Sequence, residues 1–298
     1  MKFLPTLFFA ALLTIYCAKV SAQSISEIEP RLASLAFTMV KDSVAENRQI
    51  AADSFKILLN KALKQKNAFG YPFELLENVS IKAPADSAFR IFTWQIVDKK
   101  GNSVYSGIIQ TKNKIPKVFE LSDKSGEMEN PEFETCSPDN WYGGLYYNLK
   151  TFNGKFGKQY LLFGYNQRPI YERIKFVDVL TFKAGKFTFG APVFTQKDKE
   201  TRKRFIMTYG AEGKARLNFD ESSQQIIFDH LVSVKHELLG LTLVPDGDFE
   251  GYKLEKGLWN YVNDAVKTTP VDTPDRPFPI LDNRKGKNVF GKKKGKLN

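Results

Sequence analysis

The chain has 298 residues, 42% of them hydrophobic, with a formal charge of +11 and two cysteines. That length allows a substantial buried core. Removing Lys2 and Lys19 with the leader described next leaves 42 basic against 33 acidic residues, and seven of the basic ones lie in residues 283–298, so residues 23–282 carry only +2. With no basic residues interleaved with stacking aromatics, the charge argues against nucleic-acid binding.

Residues 1–22 read as a signal peptide. Lys2 supplies a positive start, the run 3–18 is apolar except for Pro5, Thr6 and Thr14, and Val20-Ser21-Ala22 offers the small side chains of a cleavage site. Gln23 is then the mature N-terminus, and the chain is exported. No later stretch approaches the ~18 apolar residues of a membrane-spanning helix. Cys17 could be acylated in a lipoprotein, but Tyr16 beside it stands where lipid-attachment signals place a small residue. The mature chain keeps Cys136 alone, so no internal disulfide is available and burial must supply stability.

Four segments follow from the residue pattern: the leader 1–22, a helical segment 23–72 packing on the body, an antiparallel β body 73–262, and a Pro-rich then basic tail 263–298. In 24–69, Ile28, Leu32 and Leu35, then Ile50, Phe55, Leu58, Leu59 and Leu63, recur at helical steps and predict two amphipathic helices. Ser43 with Glu46 has capping-box form and predicts the second helix start. Gly70-Tyr71-Pro72 stops it. From about residue 78 the period becomes two. Hairpins are predicted at 90–97/103–111, at 176–182/186–189 around a three-residue loop Lys183-Ala184-Gly185, and at 216–219/224–231. Further strands are expected at 117–121, 145–151, 158–165, 204–209, 251–254 and 258–262. The fold class is therefore mainly β, an antiparallel sheet assembly of sandwich or barrel type, with a small propeller as the alternative.

The longest connection without structural signals is 122–140. It holds Asp123, Glu127, Glu129, Glu132, Glu134 and Asp139 against Lys124 alone, a local charge of −5, and runs into Trp141-Tyr142-Gly143-Gly144. Carboxylates beside aromatic rings are what a sugar-binding or glycosidase site uses, so Glu127, Glu129, Glu132, Glu134, Asp139, Trp141 and Tyr142 are the candidate binding residues. The competing reading is a solvated acidic loop, and the spacing matches no calcium loop. Catalytic residues are not assigned, and no metal or cofactor is expected. His230 and His236 lack metal-ligand spacing, and His230 shares a strand face with Ile226 and Phe228, which reads as a partly buried structural histidine. Cys136 has no basic or histidine neighbour in sequence to activate its thiol.

The phrases Arg90-Ile91-Phe92-Thr93-Trp94-Gln95, Trp141-Tyr142-Gly143-Gly144-Leu145-Tyr146-Tyr147, Val177-Asp178-Val179-Leu180-Thr181-Phe182, Phe189-Gly190-Ala191-Pro192-Val193-Phe194 and Ile226-Ile227-Phe228-Asp229-His230-Leu231 together resemble a group of exported Bacteroidota proteins of unknown function. The resemblance spans about residues 50–262. It implies a Gram-negative envelope and carries over no catalytic residue. In such a bacterium Asp42-Ser43-Val44 and Asp86-Ser87-Ala88 resemble short O-glycan acceptor sites.

The resulting expectation is a non-enzymatic binding or structural protein whose partner is an envelope protein or glycan. The alternative is a glycan hydrolase using carboxylates of the 122–140 loop. The tail cations Arg284, Lys285, Lys287, Lys292, Lys293, Lys294 and Lys296 fit attraction to an anionic membrane surface.

Overall fold

The computed structural model describes residues 23–114, 116–167, 171–197, 200–236 and 240–266. The leader with Cys17, and the tail cations from Arg284 onward, lie outside the described residues. Helix α1 (Ile25–Lys41) and helix α2 (Ala45–Leu63) come first. The strands are β1 (Ser80–Lys82), β2 (Phe89–Val97), β3 (Ser103–Thr111), β4 (Val118–Ser122), β5 (Leu145–Gly154), β6 (Gly157–Asn166), β7 (Glu172–Lys183) and β8 (Lys186–Phe189). They continue with β9 (Phe194–Thr195), β10 (Thr201–Arg202), β11 (Phe205–Gly210), β12 (Leu217–Asp220), β13 (Gln225–His236), β14 (Gly240–Glu255) and β15 (Leu258–Val262).

Three sheets result. The first has the order β1-β2-β3-β4, the second β11-β7-β6-β5 with β8 beside β7, and the third β10-β9-β15-β14-β13-β12. All pairings are antiparallel except β15 with β9. Because β11 returns to β7 and β9 crosses to β15, strands consecutive in sequence do not form separate blades, and the sheets stack in sandwich-like layers instead of closing into a propeller or barrel.

Alternation along each strand explains the stacking. On β2, Phe92, Trp94 and Ile96 join the helices in one core, with Trp94 edge-on to Phe55 at 5.1 Å. Phe89 and Ile91 on the opposite face join Tyr160, Leu162, Phe176 and Leu180 of the second sheet. The next residues of those strands, Leu161, Phe163, Val177 and Val179, face the third sheet and meet Phe194, Ile226, Tyr252 and Trp259. The second sheet is thus buried on both sides, which is why β6 carries a continuous apolar run and the run 176–180 of β7 is interrupted only by the buried Asp178. The order of layers is helices, first sheet, second sheet, third sheet.

Several local expectations are corrected. Ser43 does not cap α2; the helix begins at Ala45 and the Asp42 carboxylate accepts the Val44 N–H at 2.7 Å. The helix ends at Leu63, short of Gly70. The predicted three-residue loop at 183–185 is a two-residue turn, because Lys183 pairs with Lys186 and both Ala184 (φ +49°) and Gly185 (φ +75°) are left-handed. Two positive φ values match the twist a tight hairpin needs. Strand β14 starts at Gly240, well before the expected 251, since Pro245, Asp246 and Gly247 read as a turn yet lie within the long β13–β14 ribbon.

Candidate functional site

The 122–140 segment is a strap fixed to the body. Its start is held where Asp123 and Trp141 form a bridge, with the Trp141 N–H donating to the Ser122 carbonyl at 2.9 Å and the Lys124 N–H to the Trp141 carbonyl at 2.9 Å. Its end is held by reciprocal backbone bonds of 2.8 Å between Cys136 and Phe189, after which residues 138–140 make one 3-10 turn. Between these points the Glu132 carbonyl accepts the N–H groups of Lys203 (2.7 Å) and Arg204 (3.2 Å). These three anchors use backbone groups, to which side chains add the contacts described next.

The seven expected binding residues separate into two groups. Glu132 makes a two-pronged contact with Arg202 at 3.0 and 3.1 Å, Glu134 accepts the Asn130 N–H at 3.0 Å, and Glu127 pairs with Lys124 at 2.8 Å. Glu129 and Asp139 are exposed. Trp141 and Tyr142 are buried, at 0% and 4% exposure, so they do not form the aromatic platform that a stacking site requires. The Trp141 Nε1–H donates to the Tyr146 hydroxyl at 2.7 Å, and Tyr142 packs edge-on to Phe176 with ring centres 5.0 Å apart. The two glycines that follow serve this packing: a Cβ at Gly143 would strike the Asp123 carboxylate, and one at Gly144 the Phe176 ring.

Beneath the strap lies a group of buried ionisable side chains. Arg204 and Asp178 are both fully buried, with Nη2 and Oδ2 2.9 Å apart. The approach lies off the direction of a good hydrogen bond, so the contact is chiefly Coulombic. Arg204 also donates to the Pro131 carbonyl, reaches Cys136 Sγ at 3.6 Å and lies 4.8 Å above the Tyr142 ring. Burial alone would lower the guanidinium pKa; the Asp178 carboxylate reverses that and holds it above its ordinary value. Burial pushes the Asp178 carboxyl up against the opposing pull of Arg204, and Arg204 is the firmly charged member. Burial also raises the pKa of the Tyr146 hydroxyl and of the Cys136 thiol. The sequence shows Cys136 with no basic neighbour, whereas the fold supplies Arg204. Even so, desolvation outweighs that cation and the thiol stays protonated.

The strongest signal for this cluster in the sequence is Asp178 itself, a carboxylate within the apolar run 176–180 that should have demanded a buried cation. Arg204 could not be assigned as its partner because β11 returns to β7 by a non-local connection. His230 sits at the bulge between Asp229 and Leu231, and it is 37% exposed with Nδ1 2.8 Å from Asp246. The bulge explains why it leaves the Ile226–Phe228 face. His236 belongs to β13. Ser43 is exposed, while Ser87 is half-buried at φ +51°. Among the described residues no group of three His, Cys, Asp or Glu side chains is placed to hold a metal, and no helix is long and apolar enough to cross a membrane. No family model matches the chain, and neither do the curated proteins or solved structures with which it was compared.

Proposed function

We propose that the protein is exported to the envelope of a Gram-negative bacterium and acts there as a binding or structural protein. The observation that carries this reading is the use of the conspicuous ionisable groups: Arg204, Asp178, Cys136 and Tyr146 are consumed in holding the acidic strap, and Glu127, Glu132 and Glu134 are engaged on its surface. These contacts position chain. Export is supported by the 1–22 leader and by the resemblance to exported Bacteroidota proteins.

The partner is an envelope protein or glycan, and the basic tail adds attraction to an anionic membrane, each cation near the surface contributing ~1 kcal/mol. Expression of the full chain in a Gram-negative host tests the reading. Intact mass should show loss of residues 1–22, whereas a product that begins at lipid-modified Cys17 would overturn the unlipidated reading, and cross-linked envelope fractions should yield a reproducible partner. Deleting 283–298 should weaken binding to anionic vesicles most at low salt. Retention of the leader in cytosolic protein, or release of sugar from envelope glycan that Glu129→Gln or Asp139→Asn abolishes, would replace this reading with another.

A further inference from the structure

Helix α2 flanks β4, an edge strand of the first sheet, and a groove of about 710 Å³ opens between them. Ile57, Asn60, Lys61 and Lys64 line it from the helix and Glu120 from the strand. Glu120 ties the two elements together, accepting from Asn60 Nδ2 at 2.7 Å and pairing with Lys56 at 2.6 Å. Ile57 is 73% exposed, so the groove offers apolar contact that the fold itself does not use.

The open side of β4 is a row of backbone groups. The Lys117 carbonyl accepts the Thr111 N–H at 2.9 Å, so residue 117 bonds toward β3 and alternation turns Val118 and Glu120 away from it. Their N–H and C=O groups have no partner among the described residues. Val118 is half-buried and Glu120 exposed, so the strand is reachable from solvent. Further along the same side the Ser122 carbonyl is taken by the Trp141 N–H at 2.9 Å, and there the strap itself extends the edge. Charge marks what suits the rest. Lys61, Lys64 and Lys66 lie at the end of α2 and just beyond, Lys112, Lys114 and Lys117 lie in the β3–β4 turn, and the 2.6 Å bond from Gln110 to the Leu63 carbonyl joins the two sets. All six are exposed, and none has an ion pair among the described residues. The helix dipole gives a reason for Lys61 but none for the three turn lysines.

We propose that α2 and the β4 edge form a docking groove for an extended acidic segment of a partner protein, bound as an added strand. Its backbone pairs with Val118 and Glu120, its carboxylates meet Lys61, Lys64 and Lys117, and an apolar side chain covers Ile57. A second copy of this chain fits badly, because edge-to-edge pairing would set the same six lysines against each other. The proposal rests on the binding role given above and names the partner's chemistry.

Amide hydrogen exchange in the folded 23–298 protein provides the test, with an acetylated eight-residue peptide of alternating Glu and Val as the probe. In the free protein the Val118 and Glu120 amides should exchange fast, while those of Phe119 and Leu121, bonded to β3, stay protected. Saturating peptide should slow Val118 and Glu120 at least about tenfold. Lys61→Glu combined with Lys64→Glu should raise the peptide concentration needed for half-protection by at least about tenfold. The tail cations are present in both proteins, so their pull cancels from this comparison. Val118→Pro removes one outward N–H and spares the ladder, and it should likewise weaken the protection of Glu120. If that variant does not fold, the probe N-methylated at every residue tests the same bonds from the other side and should protect neither amide. Unchanged exchange at Val118 and Glu120, or equal protection by the N-methylated peptide, by alternating Lys and Val, or by phosphatidylglycerol vesicles, would overturn the assignment. Such a failure in a protein that still captures an envelope partner would leave the broader binding role standing.

Discussion

Arg204 and Arg90 are both buried, but only Arg204 has a carboxylate beside it. Arg90 is held by Gln110 Oε1 (2.6 Å) and the carbonyls of Ala68 and Tyr71 (2.5 Å each), with the Phe73 and Phe92 rings 5.0 Å away. Burial lowers its pKa to about 10, so it stays charged at neutral pH. Gln110 in turn donates to the Leu63 carbonyl at 2.6 Å, which fastens the end of α2 to the first sheet. The Arg204–Asp178 pair fastens the strap instead. Removing one member strands the other charge, so Asp178→Ala should cost about 3 to 5 kcal/mol. Arg204→Met combined with Asp178→Leu should cost less than either single change, measured as a double-mutant cycle in urea. A tryptophan comparison belongs at the same scale: Trp94 and Trp141 are 1% and 0% exposed, so alanine at either position should cost about 3 to 5 kcal/mol. Near-neutral Trp141→Ala would return that ring to the surface.

Two turns make predictions at the scale of elements. Ala184 is exposed at φ +49°, a conformation costing a side-chain-bearing residue roughly 1 to 2 kcal/mol that glycine avoids. Ala184→Gly should therefore raise the urea midpoint, by on the order of 1 kcal/mol in stability. In the β12–β13 turn, hydrogen bonds from the Ser222 and Ser223 hydroxyls, and then from the Ser223 N–H, lower the Asp220 carboxyl to about 2 from 3.8. A depressed carboxyl stabilises the fold above its unfolded value and ceases to do so as pH falls through the folded one. The contribution of Asp220 should thus be intact above pH 3.8 and fade toward pH 2, with its side-chain carbon resonance titrating near the lower value. Titration near 3.8 would mean that these hydrogen bonds do not persist in solution.

The hairpins at 90–111, 176–189 and 217–231 were legible because alternation and turn residues are local signals. The apolar run 160–163 of β6 and the run 176–180 of β7, apolar but for Asp178, also carried the information that their sheet is covered on both faces, although nothing local says by which elements. The start of β14 was hidden because Pro245 and Gly247 occur inside a strand, where a bulged ribbon tolerates them. The candidate site was legible only as composition. The excess of acids in 122–140 was plain, but its conversion from loop to strap depends on Phe189, Lys203 and Arg204, residues far away in sequence. Trp141 and Tyr142 were misplaced for the same reason, since their neighbours Tyr146, Phe176 and Arg204 come together only when the second sheet forms.

At the scale of the whole molecule, four layers share three cores, and the strap belongs to the middle core that joins the first and second sheets. Cys136 is the natural reporter of that arrangement, being 2% exposed in this core and the only cysteine after residue 17. Its thiol is kept protonated by burial and shielded by the strap, so a thiol-reactive reagent can reach it only when the strap opens. The kinetics of Cys136 modification in folded 23–298 protein, followed across a urea series, test the structural role of the strap directly. Modification should be slow in buffer and should accelerate in parallel with global unfolding seen by tryptophan fluorescence. Rapid, stoichiometric modification in buffer, at the rate of the urea-unfolded chain, would show that the 122–140 segment stands free of the body and would contradict this account.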